Sequence, residues 1–321
     1  MQLSNNLGQA LGAEVKQIYY QKICGVKLPA ILRYLAQGAV TLYILFKNRP
    51  GAVIAQNPPV FASLTVLLYC KLSGAKFAID SHTAAFLDAK WMEYYGFFKY
   101  AAKRAALNSC HNYKNLEILK SWGVKSAMVM QFSNPVYNLE KLNLPLNDKK
   151  IEQALKASNL PIMMVNRFAP DDDWKTVVKT AELMPEAVFF ITGNPADAKS
   201  GLDDLPANVI LTGYLSHNEF LKLMRRSNVI LAFTLRPDTV LWSIREIMAL
   251  TKPFVTTDSE VLRHYFAEVA LFTKSDAKEL KEKISEAIKN ETEIKNKIKI
   301  FLEKDKIRWN DEIEKFKNYL L

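Results

Sequence analysis

The sequence predicts an α/β chain of two Rossmann-like, doubly wound domains facing a cleft. Three observations point there. At 321 residues, the chain is long for one hydrophobic core and ordinary for two. Short apolar runs alternate with helix-period segments, the pattern of parallel strands covered on both faces by crossover helices. Between two such series lies Asn134–Asn147, NPVYNLEKLNLPLN, whose two prolines and four asparagines read as a linker.

The elements follow in order. Met1–Leu11 reads as a helix and GAEVKQIYY (12–20) as a strand. Pro29–Phe46 reads as a long helix, AVIAQN as a strand, and Phe61–Ser73 as a helix. KFAIDSH is a strand, Glu93–Ala106 a helix, LNSCH a short strand, Tyr113–Trp122 a helix, and SAMVMQF a strand. Beyond the linker, PIMMVNRF is a strand and Trp174–Met184 a helix; AVFFITGN and NVILTGY are strands, followed by a helix over Asn218–Arg226. VILAFTL, a helix around IREIMAL, and PFVTTD continue the alternation, and from Lys278 the chain turns helical and charged. The expected domains are residues 1–147 and 148–300, with 301–321 a helix returning to the first. Ligands of such sheets sit at the carboxyl ends of the strands.

Composition narrows the class. The chain is 49% hydrophobic and 24% charged, as soluble globular proteins are. Three cysteines, Cys24, Cys70 and Cys110, are odd in number and lack a CxxC. They speak against a disulfide framework or a zinc site and for a reducing compartment. VTLYILF and VFASLTVLLYC fall short of a membrane span, and MQLSNN shows no secretory signal. Residues 1–150 carry 18 Lys+Arg against 7 Asp+Glu, and residues 151–321 carry 25 against 26. The whole net charge of +10 therefore rests on the first half. That asymmetry points to an anionic partner: a membrane surface, a phospholipid headgroup or nucleic acid. KWMEYYGFFKYAAKR (90–104) mixes aromatic and basic residues as an interfacial helix does, although a core helix with a basic flank has the same composition. Tyr19–Arg33 would add to the same face. No nucleic-acid recognition motif is present, so the expected partner is the anionic membrane.

The most informative stretch is Arg236–Asp258, RPDTVLWSIREIMALTKPFVTTD. Asp238 precedes Glu246 by eight positions, and a helix and a strand follow. A helix N-terminus has unpartnered amides and a dipole that favour a diphosphate, and a carboxylate within the helix accepts hydrogen bonds from sugar hydroxyls. This pattern resembles the C-terminal signature of GT-B glycosyltransferases, above all glycosyltransferase family 4, in which two glutamates precede a GKP and a strand. Asp238 stands at the first glutamate and Glu246 at the second.

The resemblance implies a metal-independent hexosyltransferase with a GT-B fold. It needs no cofactor, and its donor is a UDP- or GDP-linked sugar. Asp238 would face the transferred sugar, and Glu246 the ribose. Thr239 and Ser243 would cap the helix or donate to phosphate. Arg167, in MMVNRFAPDDDW, falls on the family arginine that grips the diphosphate, for which a guanidinium is suited. The family lysine falls near Asp172 or Asp173, so Lys175 or Arg236 would supply the second cation. Gly193 lies in a turn resembling the family's glycine turn at the cleft, where it would admit a ligand or merely turn the chain. Tyr214 falls in the loop that contacts the base. His217 reads as a helix-cap residue rather than a chemical one. The DDD at 171–173 sits in a polar loop, unlike a metal-binding DxD.

In the first half, Gln56-Asn57-Pro58-Pro59 and Asp80-Ser81-His82 end two strands. Together they are similar to the QNPP and D-W-H segments of the chitobiosyldiphosphodolichol beta-mannosyltransferase group. The likeness implies that Gln56 and Asn57 line the acceptor side, that His82 orients the acceptor or steadies phosphate, and that Asp80 positions His82 or acts as base. GT-B halves open with a strand and a glycine-rich loop; here that strand is expected to be absent. A lipid-linked or polysaccharide acceptor and a peripheral place on the cytoplasmic membrane face complete the expectation. Two other readings stay open: a non-catalytic nucleotide-sugar-binding or membrane-scaffold protein, and another GT-B enzyme such as a nucleotide-sugar epimerase.

Overall fold

The computed structural model describes residues 2–18, 29–198 and 200–320. They form two compact units: 1–132 with 307–321, and 133–306. The division thus falls after Phe132 and Lys306, not after residues 147 and 300. The helix Glu291–Leu320 contributes to both units.

Unit 1 is built on four parallel strands, β1 (Ala52–Asn57), β2 (Lys76–Ser81), β3 (Leu107–Cys110) and β4 (Ala127–Val129), in that spatial order. Ala78, Ile79 and Leu107 are fully buried, as strands covered on both faces must be. One face is closed by helices Ala30–Asn48, Val60–Ser73 and Tyr95–Ala102, with Phe86, Phe98 and Trp122 packing ring on ring. The other face packs on Ile313 and Phe316 of the last helix and on Leu7, Ala10 and Leu11 of the first. Each large apolar side chain so buried contributes about 1.5–3 kcal/mol. The helix Ala30–Asn48 stops where Arg49 turns left-handed, φ 48°, and returns its N–H to Leu45, a common helix exit; Pro50 follows. Gly74, φ 77°, ends the helix Val60–Ser73 in the same way.

Register places the chemistry. Gln56 lies opposite Asp80, and Asp80 opposite Ser109. Side chains alternate along strands, so His82 and His111, two residues further on, emerge on the same face at the carboxyl ends. Asn57 and Ser81 turn to the other face and are fully buried.

One expected element is not found. Gly12 turns at φ 64°, and Ala13–Ile18 pair with no strand; Tyr19 and Tyr20 lie outside the described residues. The apolar alternation there does not make a strand: the chain leaves the helix Gln2–Leu11 through a turn closed by Ala13 N–H on the Gly8 carbonyl.

Unit 2 carries six parallel strands: β5 (Pro161–Val165), β6 (Val188–Thr192), β7 (Val209–Gly213), β8 (Val229–Ala232), β9 (Phe254–Thr257) and β10 (Leu271–Thr273). Their order is β10-β9-β8-β5-β6-β7. The chain winds outward from β5 in one direction, then returns and winds outward from β8 in the other. The β5/β8 pair is therefore the topological switch point, where doubly wound sheets open a crevice. Asp276 caps the helix Ala277–Lys289, and Ser216 caps His217–Arg226.

The segment 134–147 belongs to this unit and is no loose linker. It contains the short helix Leu139–Leu142, Asn134 bonds Asp305, and Tyr137 bonds Glu246. Arg245, wholly buried, pairs with Asp305 at 2.8 Å and lies over the Phe266 ring. Among the described residues, no helix is long and apolar enough to cross a membrane.

Candidate functional site

The loop after β5 carries Arg167, and the loop after β8 carries Arg236, so both rise at the switch point. They converge on one carboxylate. Asp171 lies 3.4 Å from the Arg167 guanidinium and 3.6 Å from that of Arg236, and it also accepts from the Thr234 hydroxyl. Arg236 thus lies beside Arg167 on the same carboxylate. Lys175 instead lays its amine over the Trp174 ring. Asp172, at the family-lysine position, is a loop staple. It accepts from the backbone N–H groups of Arg167 and Ala169 at 2.9 and 3.0 Å. Burial raises its pKa, and those hydrogen bonds partly offset the rise. Asp173 bonds the Thr176 hydroxyl.

Gly193 packs closely against this loop. Its φ is +100°, and a Cβ there would lie 2.7 Å from both Arg167 Cα and the Asn166 carbonyl oxygen. Thr192 reinforces the junction, its hydroxyl meeting Asn166 N–H and the Met164 carbonyl. Replacing Gly193 with alanine is expected to displace Arg167. The prediction is a loss of nucleotide affinity of tenfold or more, read by titration calorimetry, together with a drop in melting temperature, because both backbone contacts and the left-handed φ oppose a side chain.

Glu246 is buried, at 5% exposure, and well partnered. Its Oε1 accepts from His217 Nε2 at 2.8 Å and from the Tyr137 hydroxyl at 3.3 Å. Burial first, and then the Glu246 charge, push the Tyr137 phenol pKa up. Both of these bonds meet Oε1. His217, read as a helix-cap residue, is a Glu246 partner, while Ser216 does the capping. Neither His217 nor Tyr137 was singled out as a site residue, since they lie 29 and 109 positions from Glu246 and leave no local signal.

The helix Trp242–Ala249 begins at Leu241 without a side-chain cap. Thr239 donates to the Pro237 carbonyl instead, and Ser243 lies within the first turn, so neither caps the helix as expected. Its N-terminal end carries the positive pole of the helix dipole. Asp238 occupies the preceding turn at φ 49°, a conformation aspartate tolerates, and is partly exposed. Tyr214, just past β7, is 86% exposed.

In unit 1, Ser109, His111 and His82 surround the Asp80 carboxylate. Its Oδ1 lies 2.7 Å from the Ser109 hydroxyl and 3.3 Å from His111 Nε2, and its Oδ2 lies 3.5 Å from His82 Nε2. Burial alone would raise the Asp80 pKa; His111 and His82 outweigh it and hold the carboxyl well below the usual range. Burial, followed by the His82 charge, lowers the pKa of His111. Gln56 reaches His82 Nε2 at 2.7 Å and accepts from the Ser4 hydroxyl. Asp80, His82 and Gln56 therefore come together, with His111 as a member that was not foreseen. Asn57 does not join them. Its fully buried amide has neither atom hydrogen-bonded, because the strand pleat turns it away.

A groove of ≈ 300 Å³ in the same unit is lined by Arg33, Tyr34, Gln37, Pro58, Pro59 and Trp91, with Ile18 beside them. The aromatic-basic segment divides: Trp91 and Phe98 are core, whereas Phe97 and Tyr100 are exposed. Lys71 donates to the Tyr100 hydroxyl, and Arg104 lies 3.7 Å over its ring. Most of Tyr19–Arg33 lies outside the described residues.

Residues 147–304 match the family Glycosyl transferases group 1. No curated protein matches the chain. Among solved structures, Anabaena HepE in complex with UDP is similar at a TM-score of 0.68 and 14% identity, over 91% of this chain and 85% of that one. Sucrose-phosphate synthase from Thermosynechococcus elongatus gives 0.70 and 15%, over 94% and 82%. A trehalose 6-phosphate synthase from Burkholderia multivorans gives 0.67 and 12%, over 90% and 76%. The chain has the GT-B fold, and its residues 147–304 are similar to the glycosyl transferases group 1 family.

Proposed function

We propose that the chain moves a hexose from a UDP- or GDP-linked donor, held on unit 2, to a lipid-linked or polysaccharide acceptor held on unit 1. The observation that carries this reading is the pair Arg167 and Arg236, brought onto one carboxylate at the switch point. Two guanidiniums that share an aspartate are spaced to share a diphosphate. The N-terminal end of the helix Trp242–Ala249 adds a partial positive charge. A uridine donor is favoured by the UDP and UDP-glucose complexes of Anabaena HepE.

In the reaction, the bond from the sugar's anomeric carbon to the diphosphate breaks, the acceptor oxygen bonds that carbon, and the acceptor hydroxyl's proton passes to the departing diphosphate. Negative charge grows on the leaving diphosphate, where Arg167, Arg236 and the helix dipole stabilise it. Glu246 Oε2 accepts from the ribose, with Tyr137 and His217 fixing its carboxylate. Tyr214 offers a ring to the base, and Asp238 stands by the transferred sugar. His82, steered by Asp80, orients the acceptor hydroxyl, with Gln56 beside it. None of these roles calls on a metal ion. Thermal-shift measurement against UDP, GDP, ADP and CDP tests the donor site. A ligand present at a hundred times its Kd adds about 2.7 kcal/mol, so at least one nucleotide is expected to raise the melting temperature by several degrees. No shift with any of the four would reject the site.

We further propose that unit 1 rests on an anionic membrane at the cytoplasmic face. Its helices expose Ile31, Leu35, Tyr43, Leu68, Leu72 and Phe97, interspersed with Lys71, Lys99 and Arg104. Each basic residue near such a surface contributes about 1 kcal/mol. Sedimentation with phosphatidylserine vesicles is expected to show binding that weakens with salt. Lys71→Glu, Lys99→Glu and Arg104→Glu together are expected to reduce it at least a hundredfold. Equal binding to neutral vesicles would remove the electrostatic basis.

A further inference from the structure

The Asp80, His82 and His111 cluster has the makings of a cation site. The ligand atoms of the three residues lie within 4.8 Å of one another. His111 Nε2 lies 3.3 Å from Asp80 Oδ1, and His82 Nε2 lies 3.5 Å from Asp80 Oδ2. Zinc bonds of about 2.0–2.1 Å at tetrahedral angles put neighbouring donor atoms about 3.4 Å apart. No pair of ligand atoms is more than 4.8 Å apart, and the His82 side chain, 23% exposed, has room to turn. His111 and Asp80 are held from behind: the His111 ring packs against Phe132 at 4.1 Å, and Ser109 anchors the carboxylate. Gln56 lies beside His82 and, after a half-turn of its amide, presents an oxygen to the same point.

We infer that Asp80, His82 and His111 bind one late first-row divalent metal ion, zinc being the type case, and that this ion switches the acceptor side off. Two imidazoles and one carboxylate suit Zn²⁺, Co²⁺ or Ni²⁺, whereas Mg²⁺ and Ca²⁺ prefer sites made wholly of oxygen. On binding, each Nε2 gives up its hydrogen and each ring carries its proton at Nδ1, so the imidazoles stay neutral. Three protein ligands leave positions open to water or Gln56. Inhibition rests on the proposed acceptor role of His82 and Asp80; binding does not, and the two are measured separately.

Titration of the metal-stripped full chain with Co²⁺ is expected to give one ion per chain and a visible absorption band, with a micromolar or tighter Kd. Zn²⁺ should displace that ion. His111→Ala and His82→Ala, each checked for an unchanged circular dichroism spectrum, are expected to weaken Co²⁺ at least tenfold. His217→Ala should not. His82 is partly exposed, so its variant remains informative should His111→Ala fail to fold. Absence of a stoichiometric Co²⁺ complex, or a complex unchanged in the His82 variant, would overturn the site. Zn²⁺ should also slow transfer by the unaltered chain, with EDTA restoring it. Co²⁺ binding without such inhibition would overturn the switch and leave the site standing, and binding by a chain that transfers no sugar would count against the proposed activity alone.

Discussion

Replacing Arg167 with alanine is expected to lower kcat/KM for the sugar donor by about a hundredfold to a thousandfold, the usual loss when one preorganised donor to a developing charge is removed. The melting temperature should stay within a degree of the parent, because the side chain is 66% exposed and packs against nothing in the core. Arg167→Lys keeps the charge but loses the planar fork, so it should fall between the two. Arg236→Ala should resemble Arg167→Ala, since both guanidiniums meet the same aspartate. Steady-state kinetics at fixed acceptor would settle the matter. Full activity in both alanine variants would mean that the diphosphate binds elsewhere.

The second large effect concerns stability. Arg245→Ala should destabilise the chain by about 3–5 kcal/mol, because it leaves Asp305 charged and buried without its partner. At about 2–4 °C per kcal/mol for a domain of this size, the melting temperature should drop by roughly 10 °C or more. Arg245→Met with Asp305→Leu removes both charges together and should recover most of the loss. Differential scanning calorimetry of the three chains checks this. If the single variant melts with the parent, the ion pair contributes little.

Much of the fold can be read from the sequence, for a physical reason. Strands such as IMMV and VILA are buried on both faces, so their apolar runs are continuous and easy to see. The alternation in Gly12–Tyr20 misleads because strand formation needs a neighbour as well as a pattern, and Ala13–Ile18 have none. In the site, Arg167, Arg236 and Glu246 were legible because each sits at a fixed offset from a strand end or a helix. His111, His217 and Tyr137 were not. Each meets its carboxylate through the meeting of distant segments, which no spacing records. Gly193 was legible as a turn residue, but what it approaches depends on how β5 and β6 pair. Phe97 and Phe98 show the limit of composition: they are neighbours of one type, one exposed and the other wholly buried.

The contact between Arg245, Asp305 and Asn134 bears on how this protein is cut for study. The segment that matches the sugar-transferring family runs from 147 to 304, and a fragment trimmed to those limits discards both Asn134 and Asp305 while keeping the guanidinium they surround. Such a piece would express poorly or precipitate for a reason unrelated to catalysis. Boundaries drawn from likeness alone would sever it one residue short of its own counter-ion.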